Sequence, residues 1–250
     1  MPRLELRDVR KERLGADRVF ELHVRRFALR AGEQLAVLGP SGCGKTTLLG
    51  LCGLASAPSS SGGFTLHEEA SPPCAVDALW REGRHERLAR LRATHFGFVL
   101  QTGGVLPFRS VRGNLELTQR LSGRPDPARV ELLLERLGLA ALAREAPARL
   151  SVGQRQRVGI ARALAHRPGF VIADEPTAAL DPGNAARVIR LLLDLTAEDG
   201  AALLLVSHDR RLVEEAAMPV LEMAAEVGGD ARRWTSVVDH PGGGGGEAAP

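Results

Sequence analysis

Lysine is almost absent from this chain of 250 residues, and its scarcity draws attention to one residue. It occurs only at Lys11 and Lys45, and arginine carries nearly all of the positive charge. The formal net charge is +3, but acidic and basic residues are interspersed without a long block of one sign. Such a pattern is typical of a solvated surface and does not indicate an arm for nucleic acid. We therefore expect no nucleic-acid partner.

Cysteines and long apolar runs are also few. Cys43, Cys52 and Cys74 show neither CxxC spacing nor nearby histidines at metal-ligand spacing, so free thiols in a reducing compartment are expected. The longest apolar runs, such as 201–207, are far shorter than the roughly 20 residues that cross a bilayer. The first residues lack the apolar core of a signal peptide. These absences predict a cytoplasmic protein that reaches a membrane only through a partner.

Short apolar runs alternate with helical patterns along the chain. Strands are predicted at 4–9, 20–29, 34–38, 64–67, 96–100, 170–173 and 201–206. Helices are predicted at 46–54, 85–92, 111–122 and 127–137, near residue 153 and after residue 182. This alternation predicts an α/β fold with a largely parallel sheet. The segment 55–73 is predicted to be a surface excursion, and 228–250 a flexible glycine-rich tail.

A glycine-rich octapeptide follows the strand predicted at 34–38. Residues 39–46 read GPSGCGKT and fit GxxxxGK[ST], in which backbone N–H groups and the next helix N-terminus surround phosphate groups. Lys45 is expected to reach the β and γ phosphates, and Thr46 to ligate Mg²⁺. The alternative is a tight glycine turn with an exposed lysine. The predicted nucleotide contacts are Gly39, Pro40, Ser41, Gly42, Cys43, Gly44, Lys45, Thr46 and Thr47.

Two adjacent carboxylates follow the apolar strand predicted at 170–173. Asp174 is expected to hold Mg²⁺, and Glu175 to polarise an attacking water. A solvated strand end is an equally good interpretation of the pair alone. The upstream phosphate loop favours the catalytic interpretation, because phosphoryl transfer needs a metal anchor and a residue that positions water near the γ phosphate.

The run LSVGQRQRVGIARALA at 150–165, just before the two carboxylates, resembles the signature of the ATP-binding-cassette (ABC) ATPases. Ser151 is expected to cap a helix whose exposed N–H groups and dipole point at an anion. The resemblance implies that Ser151, Gly153 and Gln154 contact the γ phosphate of ATP bound by an opposing subunit. It also implies a P-loop fold over residues 1–227, with a mostly parallel core sheet, an N-terminal antiparallel part and a helical subdomain at about 102–166.

Three further residues match the order of motifs in that family. Gln101 resembles the glutamine that contacts Mg²⁺ and senses the transport partner, Asp181 resembles the aspartate of the D-loop, and His208 resembles the switch histidine. The resemblance implies catalytic roles for Lys45 and Glu175 together with Gln101 and His208. Each residue taken alone has an ordinary structural interpretation, such as a helix cap or a surface side chain.

The chain departs from the family pattern at two places. Val152 stands where the signature usually has a glycine, which removes backbone freedom near the γ phosphate and predicts slower turnover. The chain also has no tyrosine to stack on adenine. Arg13 occupies the corresponding position, and Phe20 is a second candidate, because a guanidinium or a phenyl ring can stack on a base.

The stretch 96–117 resembles the lipoprotein-release and macrolide-export type of ABC ATPase. This resemblance implies an ATPase on the cytoplasmic face of the membrane, paired with an integral membrane permease and with a second ABC ATPase subunit, identical or different. Its expected cofactors are ATP and Mg²⁺. Two alternatives stay open: a cassette that regulates a cell-envelope complex without moving cargo, and a soluble ABC protein that acts on nucleic acid or ribosomes.

Overall fold

The computed structural model describes residues 2–15, 19–68, 71–227 and 233–242. The first strands are β1 (Arg3–Leu14), β2 (Val19–Arg30), β3 (Gln34–Leu38), β4 (Ser60–His67), β5 (Cys74–Ala75) and β6 (Phe96–Val99). The later strands are β7 (Phe170–Asp174), β8 (Ala202–Val206), β9 (Val220–Glu222), β10 (Ala225–Val227) and β11 (Arg233–His240). The helices are α1 (Lys45–Cys52), α2 (Val76–Arg81), α3 (His85–His95), α4 (Val111–Ser122), α5 (Pro127–Arg136), α6 (Val152–Leu164), α7 (Pro182–Glu198) and α8 (Arg210–Glu215).

The strands form two sheets. One sheet has the order β6-β7-β8-β3-β9 and is parallel at every pairing. The other has the order β10-β11-β2-β1-β4-β5 and is antiparallel except between β11 and β2. Because all strands of the first sheet run the same way, their carboxyl ends lie along one edge, where α/β proteins place their ligands.

Alternate residues of the parallel sheet enter two different hydrophobic clusters. Ala36, Leu203 and Leu205 belong to the cluster shared with α4, α5, α6 and α7. Val37 and Leu204 belong to the cluster shared with α1 and the antiparallel sheet. Both faces of the sheet are therefore covered, which explains why its strands are continuous apolar runs rather than alternating ones.

The segment 55–73 was predicted to be a surface excursion around a short strand at 64–67. The structure corrects this prediction for residues 60–67, where a longer strand belongs to the antiparallel sheet. Strand β4 pairs with β1 and buries Phe64 and Leu66 completely. Trp80, in the next helix, packs against the same cluster, as expected for a core aromatic. Residues 60–67 thus form part of the antiparallel sheet rather than an insertion on its surface.

The prediction of a flexible tail from residue 228 is wrong for β11. This strand pairs in parallel with β2 from Arg233↔Val19 to His240↔Phe27, and Val238 is buried in the core. Backbone pairing with β2 and β10 and the apolar burial of Val238 together hold the strand within the sheet. The glycine run at 243–246 lies outside the described residues.

A buried ion pair ties the helices between β6 and β7 to the rest of the fold. Arg129 on α5 contacts Asp199 at the end of α7, and their side chains are only 2% and 4% exposed. Arg167 adds a second guanidinium 3.5 Å from Asp199. Burial raises the pKa of Asp199 and lowers that of Arg129, since both groups leave water. Desolvation of the two charges offsets much of their attraction, so the main effect of the pair is to fix the position of α5 relative to the end of α7.

No helix in the described part of the chain is both long and apolar enough to span a membrane.

Candidate functional site

Three neighbouring strands of the parallel sheet bring the predicted catalytic groups together. Strands β7, β8 and β3 are consecutive, and the residues that follow them lie at adjacent carboxyl ends. The amide of Glu175 donates to the carbonyl of Val206 at 3.0 Å, and the amide of Ser207 donates to the carbonyl of Val37 at 3.3 Å. Backbone hydrogen bonds thus extend the sheet alignment one residue beyond the strands and hold the three strand ends together.

The phosphate loop wraps around the side chain of its lysine. Lys45 is only 6% exposed, and its Nζ donates to the carbonyl oxygens of Gly39 at 2.6 Å and Pro40 at 2.9 Å. Gly42 and Gly44 have φ values of +81° and +98°, a region that glycine enters without a steric penalty. The loop is curled before α1 begins at Lys45, as an anion site at a helix N-terminus requires.

The glutamate that follows β7 has a strained backbone. Glu175 has a φ of +47°, which is uncommon for a residue with a Cβ and is found where the surrounding structure enforces it. Its carboxylate contacts the imidazole Nε2 of His208, which is about half exposed. The strain and the contact direct the carboxylate of Glu175 and the imidazole of His208 toward each other across the ends of β7 and β8.

Asp174 sits at the carboxyl end of β7 and is partly buried. Burial raises the pKa of its carboxyl group, and the neighbouring Glu175 raises it further, while Lys45 and His208 act in the opposite direction. A partly desolvated carboxylate beside another carboxylate is stabilised by a cation. The electrostatics of the strand end therefore favour positive charge.

One cavity of about 410 Å³ joins the phosphate loop to Glu175 and His208, and Asp174 is not among its lining residues. We call it the phosphate-loop cavity. Its lining residues are Arg13, Phe20, Ser41, Gly42, Gly44, Lys45, Thr46, Thr47, Glu175 and His208. The structure thus brings the predicted lysine, glutamate and histidine to one cavity, together with both residues predicted to stack on adenine.

A second cavity of about 590 Å³ adjoins the first and shares Arg13, Phe20, Ser41 and Gly42 with it. We call it the base cavity. Its other lining residues are Leu14, Gly15, Val19, Pro40, Cys43, Ala225 and Trp234. Trp234 was missed in the sequence because it lies in the segment predicted to be a tail. The alternation of residues 234–238, with Trp, Ser and Val toward one side, was a strand signal that could have located it.

The signature residues form a helix N-terminus with a complete capping box. The Ser151 hydroxyl accepts from the Gln154 amide at 3.2 Å, and the Gln154 side-chain oxygen accepts from the Ser151 amide at 2.8 Å. Val152 is the first helical residue, is 47% exposed and has no positive φ among the described backbone outliers. Valine therefore introduces no backbone strain at the position where the family usually has glycine.

A third cavity, of about 330 Å³, is lined by signature residues and by no residue of the phosphate loop. We call it the signature cavity. Ser151 and Gly153 line it together with Asp181, which caps α7 by accepting from the Asn184 amide at 3.1 Å. The Asn184 side chain, followed by the Asn184 amide, lowers the pKa of Asp181. Two capped helix N-termini therefore open into one cavity, with Arg157 and Arg187 adding positive charge.

The loop that carries Gln101 lies on α6 rather than in a cavity. Gln101 is exposed and does not line the phosphate-loop cavity. Gln156 of α6 donates to the carbonyl of Leu100 at 3.3 Å, and Arg162 donates to the carbonyl of Gly104. A Cβ at Gly159 would lie 2.4 Å from the carbonyl oxygen of Gly103, so helix and loop touch backbone against backbone. We call this the Gly103–Gly159 contact.

Comparison with known protein families shows to which family this chain belongs. The family described as "ABC transporter" matches residues 22–178, which is more than half of the chain. The chain belongs to the ABC transporter family. It is an ABC ATPase cassette, and its similarity to the lipoprotein-release and macrolide-export type is confirmed by its relatives.

Two relatives illustrate this type. The lipoprotein-releasing system ATP-binding protein LolD of Idiomarina loihiensis is 41% identical over 204 residues, which are 80% of this chain and 85% of that protein. The macrolide export ATP-binding/permease protein MacB of Nitrosomonas europaea is 39% identical over 220 residues. That match covers 86% of this chain but only 32% of the MacB protein, so the chain spans about a third of that relative.

Solved structures confirm the predicted fold class. A bacterial ABC transporter cassette solved as a dimer matches with a TM-score of 0.72 and 29% identity, covering 88% of this chain and 94% of that one. A dimeric post-hydrolysis state of an ATP-binding cassette bound to ADP and Pi matches with a TM-score of 0.71 and 29% identity, covering 84% and 89%. The structure of this chain has the parallel sheet, the helices and the antiparallel part that were predicted.

Proposed function

We propose that this ABC cassette hydrolyses ATP in a site completed by a second cassette. The observation that carries the proposal is the separation of the predicted site residues into two cavities. Lys45, Glu175 and His208 share the phosphate-loop cavity, whereas Ser151 and Gly153 line the signature cavity. Both groups can act on one nucleotide only if the signature cavity of one chain faces the phosphate-loop cavity of another.

Within the phosphate-loop cavity, three side chains have separate tasks. Lys45 binds the β and γ phosphates, because it is the one cationic side chain enclosed by the described phosphate loop. Glu175 orients water toward the γ phosphorus. His208, which contacts Glu175, donates to the γ phosphate and offsets the charge that develops there.

The residues of this site fit a magnesium ion. Thr46 and Asp174 would supply the hard oxygen ligands that Mg²⁺ prefers. The raised pKa of the Asp174 carboxyl, caused by burial and by Glu175, supports this assignment because positive charge would stabilise the carboxylate. When bound, Mg²⁺ neutralises charge on the β and γ phosphates. Gln101 is proposed as a further ligand. Its exposed side chain does not line the cavity in this structure, so the loop on α6 must move to bring it to the ion.

The nucleotide occupies the phosphate-loop and base cavities of one chain. Its γ phosphate faces Ser151, Gly153 and Gln154 of the second chain. There the Gln154 amide is capped by Ser151, and the amides of Val152 and Gly153 have no backbone partner within α6. Asp181 borders the same contact between cassettes. The pair of cassettes can consist of two identical chains or of two different ones.

An integral membrane permease is the partner that makes ATP-driven closure useful. We infer that the cassette acts at the cytoplasmic face of the membrane, because the relatives are named as ATP-binding components of releasing and export systems. Those names include different cargoes, so no cargo is proposed. Regulation of a cell-envelope complex and action on nucleic acid or ribosomes have no such support from the relatives.

Replacement of the proposed water-positioning residue tests the reaction. We expect Glu175→Gln to keep ATP binding, to accumulate an ATP-bound dimer and to lower hydrolysis by roughly 10²- to 10⁴-fold, the usual contribution of such a group. Phosphate release and size-exclusion chromatography with and without ATP measure these effects. Hydrolysis at the wild-type rate in this variant would show that the assignment of Glu175 is wrong.

A second variant tests the role of the signature cavity. A Cβ at Gly153 has room, with its nearest neighbour, Leu180 Cδ2, at 3.5 Å. In the Glu175→Gln background, Gly153→Asp is expected to prevent the ATP-bound dimer by repelling the opposing γ phosphate. Aspartate in the first turn also favours the helix, so a folding defect is not expected. Gly153→Ala is the matched control, and dimerisation of Gly153→Asp as in this control would contradict the composite site.

A further inference from the structure

We propose that Trp234, on the carboxyl-terminal strand β11, forms one wall of the site for the adenine base. This inference rests on the proposed binding of ATP through the phosphate loop and adds the residue that recognises the other end of the nucleotide. The sequence directed attention to Arg13 and Phe20, on the first hairpin, as the stacking residues. The structure adds a third strand to that surface.

The register of the antiparallel sheet places three side chains side by side. Phe20 on β2 pairs with Arg13 on β1 in one direction and with Trp234 on β11 in the other. Directly paired residues on adjacent strands point to the same face of a sheet, with Cβ atoms about 5 Å apart. Arg13, Phe20 and Trp234 therefore form a row across one face, and all three line the base cavity.

The two adjoining cavities differ in chemistry along the direction of a nucleotide. The phosphate-loop cavity holds Lys45 and the polar groups of Thr46 and His208. The base cavity, beyond Arg13 and Phe20, is lined by the aliphatic side chains of Leu14 and Val19 and by the indole of Trp234, among others. A ligand that is anionic at one end and a flat heteroaromatic ring at the other matches this sequence of surfaces.

Phe20 lies between the phosphate loop and Trp234. A Cβ added at Gly44 would lie 2.6 Å from Phe20 Cζ, so the phenyl ring rests directly on the phosphate loop. The edge of the phenyl ring is occupied by that contact. Trp234 lies one strand farther from Gly44 and lines the base cavity but not the phosphate-loop cavity. The base of a nucleotide anchored at Lys45 extends past Phe20 toward the indole.

The composition of the chain makes Trp234 directly observable. There are two tryptophans and no tyrosine, so a Trp80→Phe variant has a single tryptophan emitter at position 234. Trp80 packs in the hydrophobic cluster beside α3, outside all three cavities, so its conservative replacement provides a suitable background. In this background we expect ADP to quench or shift the emission, and pyrophosphate to leave it unchanged.

Binding measurements on the full chain provide the decisive comparison. ADP and pyrophosphate carry comparable phosphate groups and differ in the nucleoside. Trp234→Ala is expected to weaken ADP binding by about tenfold, the scale of one base–aromatic stacking contact, with pyrophosphate affinity unchanged. Trp234→Phe should restore most of the ADP affinity. Isothermal titration with both ligands measures each arm.

Two results would overturn the inference. If Trp234→Ala weakens ADP and pyrophosphate equally, the indole only supports the fold of the loop. If it changes neither affinity, the base lies elsewhere. Failure of the proposed function looks different, because then Lys45→Ala would leave the affinities for both ADP and pyrophosphate unchanged in the presence of an intact Trp234.

Discussion

The phosphate-loop cavity and the signature cavity stand on different supports. The first is built at the ends of β3, β7 and β8, where a strained Glu175 and an enclosed Lys45 are held by sheet and loop hydrogen bonds. The second is built from the first turns of α6 and α7, whose caps, Ser151 and Asp181, are exposed. The proposed catalytic groups are therefore held by the sheet and its loop, whereas the groups proposed to contact a second cassette lie at helix N-termini.

This difference predicts that the two cavities can be damaged separately. Changes that weaken the helices between β6 and β7 should lower stability or dimerisation and leave ADP binding at Lys45 unaltered. The four changes below all act on the helical side or on its junction with the sheet. In each case, the affinity for ADP is measured as well. A loss of that affinity in step with the loss of stability or dimerisation would contradict the independence of the two cavities.

The largest effect is expected at the buried ion pair between α5 and α7. Arg129→Met leaves Asp199 with one partner fewer in a desolvated position, and should lower the free energy of unfolding by about 3–5 kcal/mol. The matched control is Arg136→Met on the same helix, whose pair with Glu198 is exposed and should cost less than about 1 kcal/mol. Urea denaturation measures both. Equal effects of the two variants would contradict the role of burial.

The next effect depends on pH and concerns His166, which follows α6. Its Nε2–H donates a hydrogen bond to the carbonyl oxygen of Phe96 on β6 at 3.2 Å, and burial lowers the pKa of His166 to about 4 from 6.5. The unfolded chain therefore binds more protons between pH 6.5 and pH 4, so stability falls as pH falls through this window. The loss is about 3 kcal/mol when complete.

The contribution of His166 is isolated by comparison with a variant. His166→Gln keeps a donor for Phe96 and removes the titrating group, so its stability should fall less between pH 7 and pH 4.5 than that of the wild type. His85→Gln, at an exposed position, serves as the control and should retain the wild-type slope. A wild-type slope in His166→Gln would assign the acid sensitivity to other groups.

A smaller effect is expected at the Gly103–Gly159 contact. Gly159→Ala places a methyl group 2.4 Å from a backbone oxygen, so helix or loop must move, at a cost of roughly 1–3 kcal/mol. Gly50→Ala in α1 is the matched control, because its Cβ meets its nearest neighbour at 3.4 Å and alanine favours helix. Thermal melts compare the two, and greater destabilisation by Gly50→Ala would exclude a close backbone contact as the cause.

The smallest effect is expected at the cap of α6. Ser151→Ala removes the hydroxyl that accepts from the Gln154 amide and should cost about 1 kcal/mol of stability. Ser151→Asn, which can also cap a helix, should retain stability. Dimerisation in the Glu175→Gln background then separates capping from contact with the partner nucleotide. Full dimerisation of Ser151→Ala would limit Ser151 to capping.

The parallel sheet and the catalytic residues were predictable because each depends on local patterns. The runs at 34–38, 170–173 and 201–206 are continuous apolar segments, as strands buried on both faces are, and the residues after them carry distinctive motifs. Helix α4 was predicted with its observed bounds, since Ser110 caps its start and Gly123 ends it in the left-handed region.

The antiparallel sheet was harder to predict because its strands carry turn-forming residues. Gly62 and Gly63 in β4 suggest a loop, yet a Cβ at Gly62 would lie 3.2 Å from the Arg7 carbonyl oxygen, so the closeness of β1 favours a glycine there. Strand β11 lies between glycines at 228–229 and 242–246, and its pairing with β2 joins residues more than 200 positions apart. Local composition contains no information about such a partner.

The Gly103–Gly159 contact also has a mechanical consequence. Because backbone meets backbone and no side chain lies between them, the loop of Gln101 cannot approach helix α6 more closely unless the helix also moves. Ser151 lies eight residues before Gly159, about 12 Å along a stiff helix. We therefore expect a displacement of the loop of Gln101 toward α6 to move the first turn of that helix, where Ser151 lies.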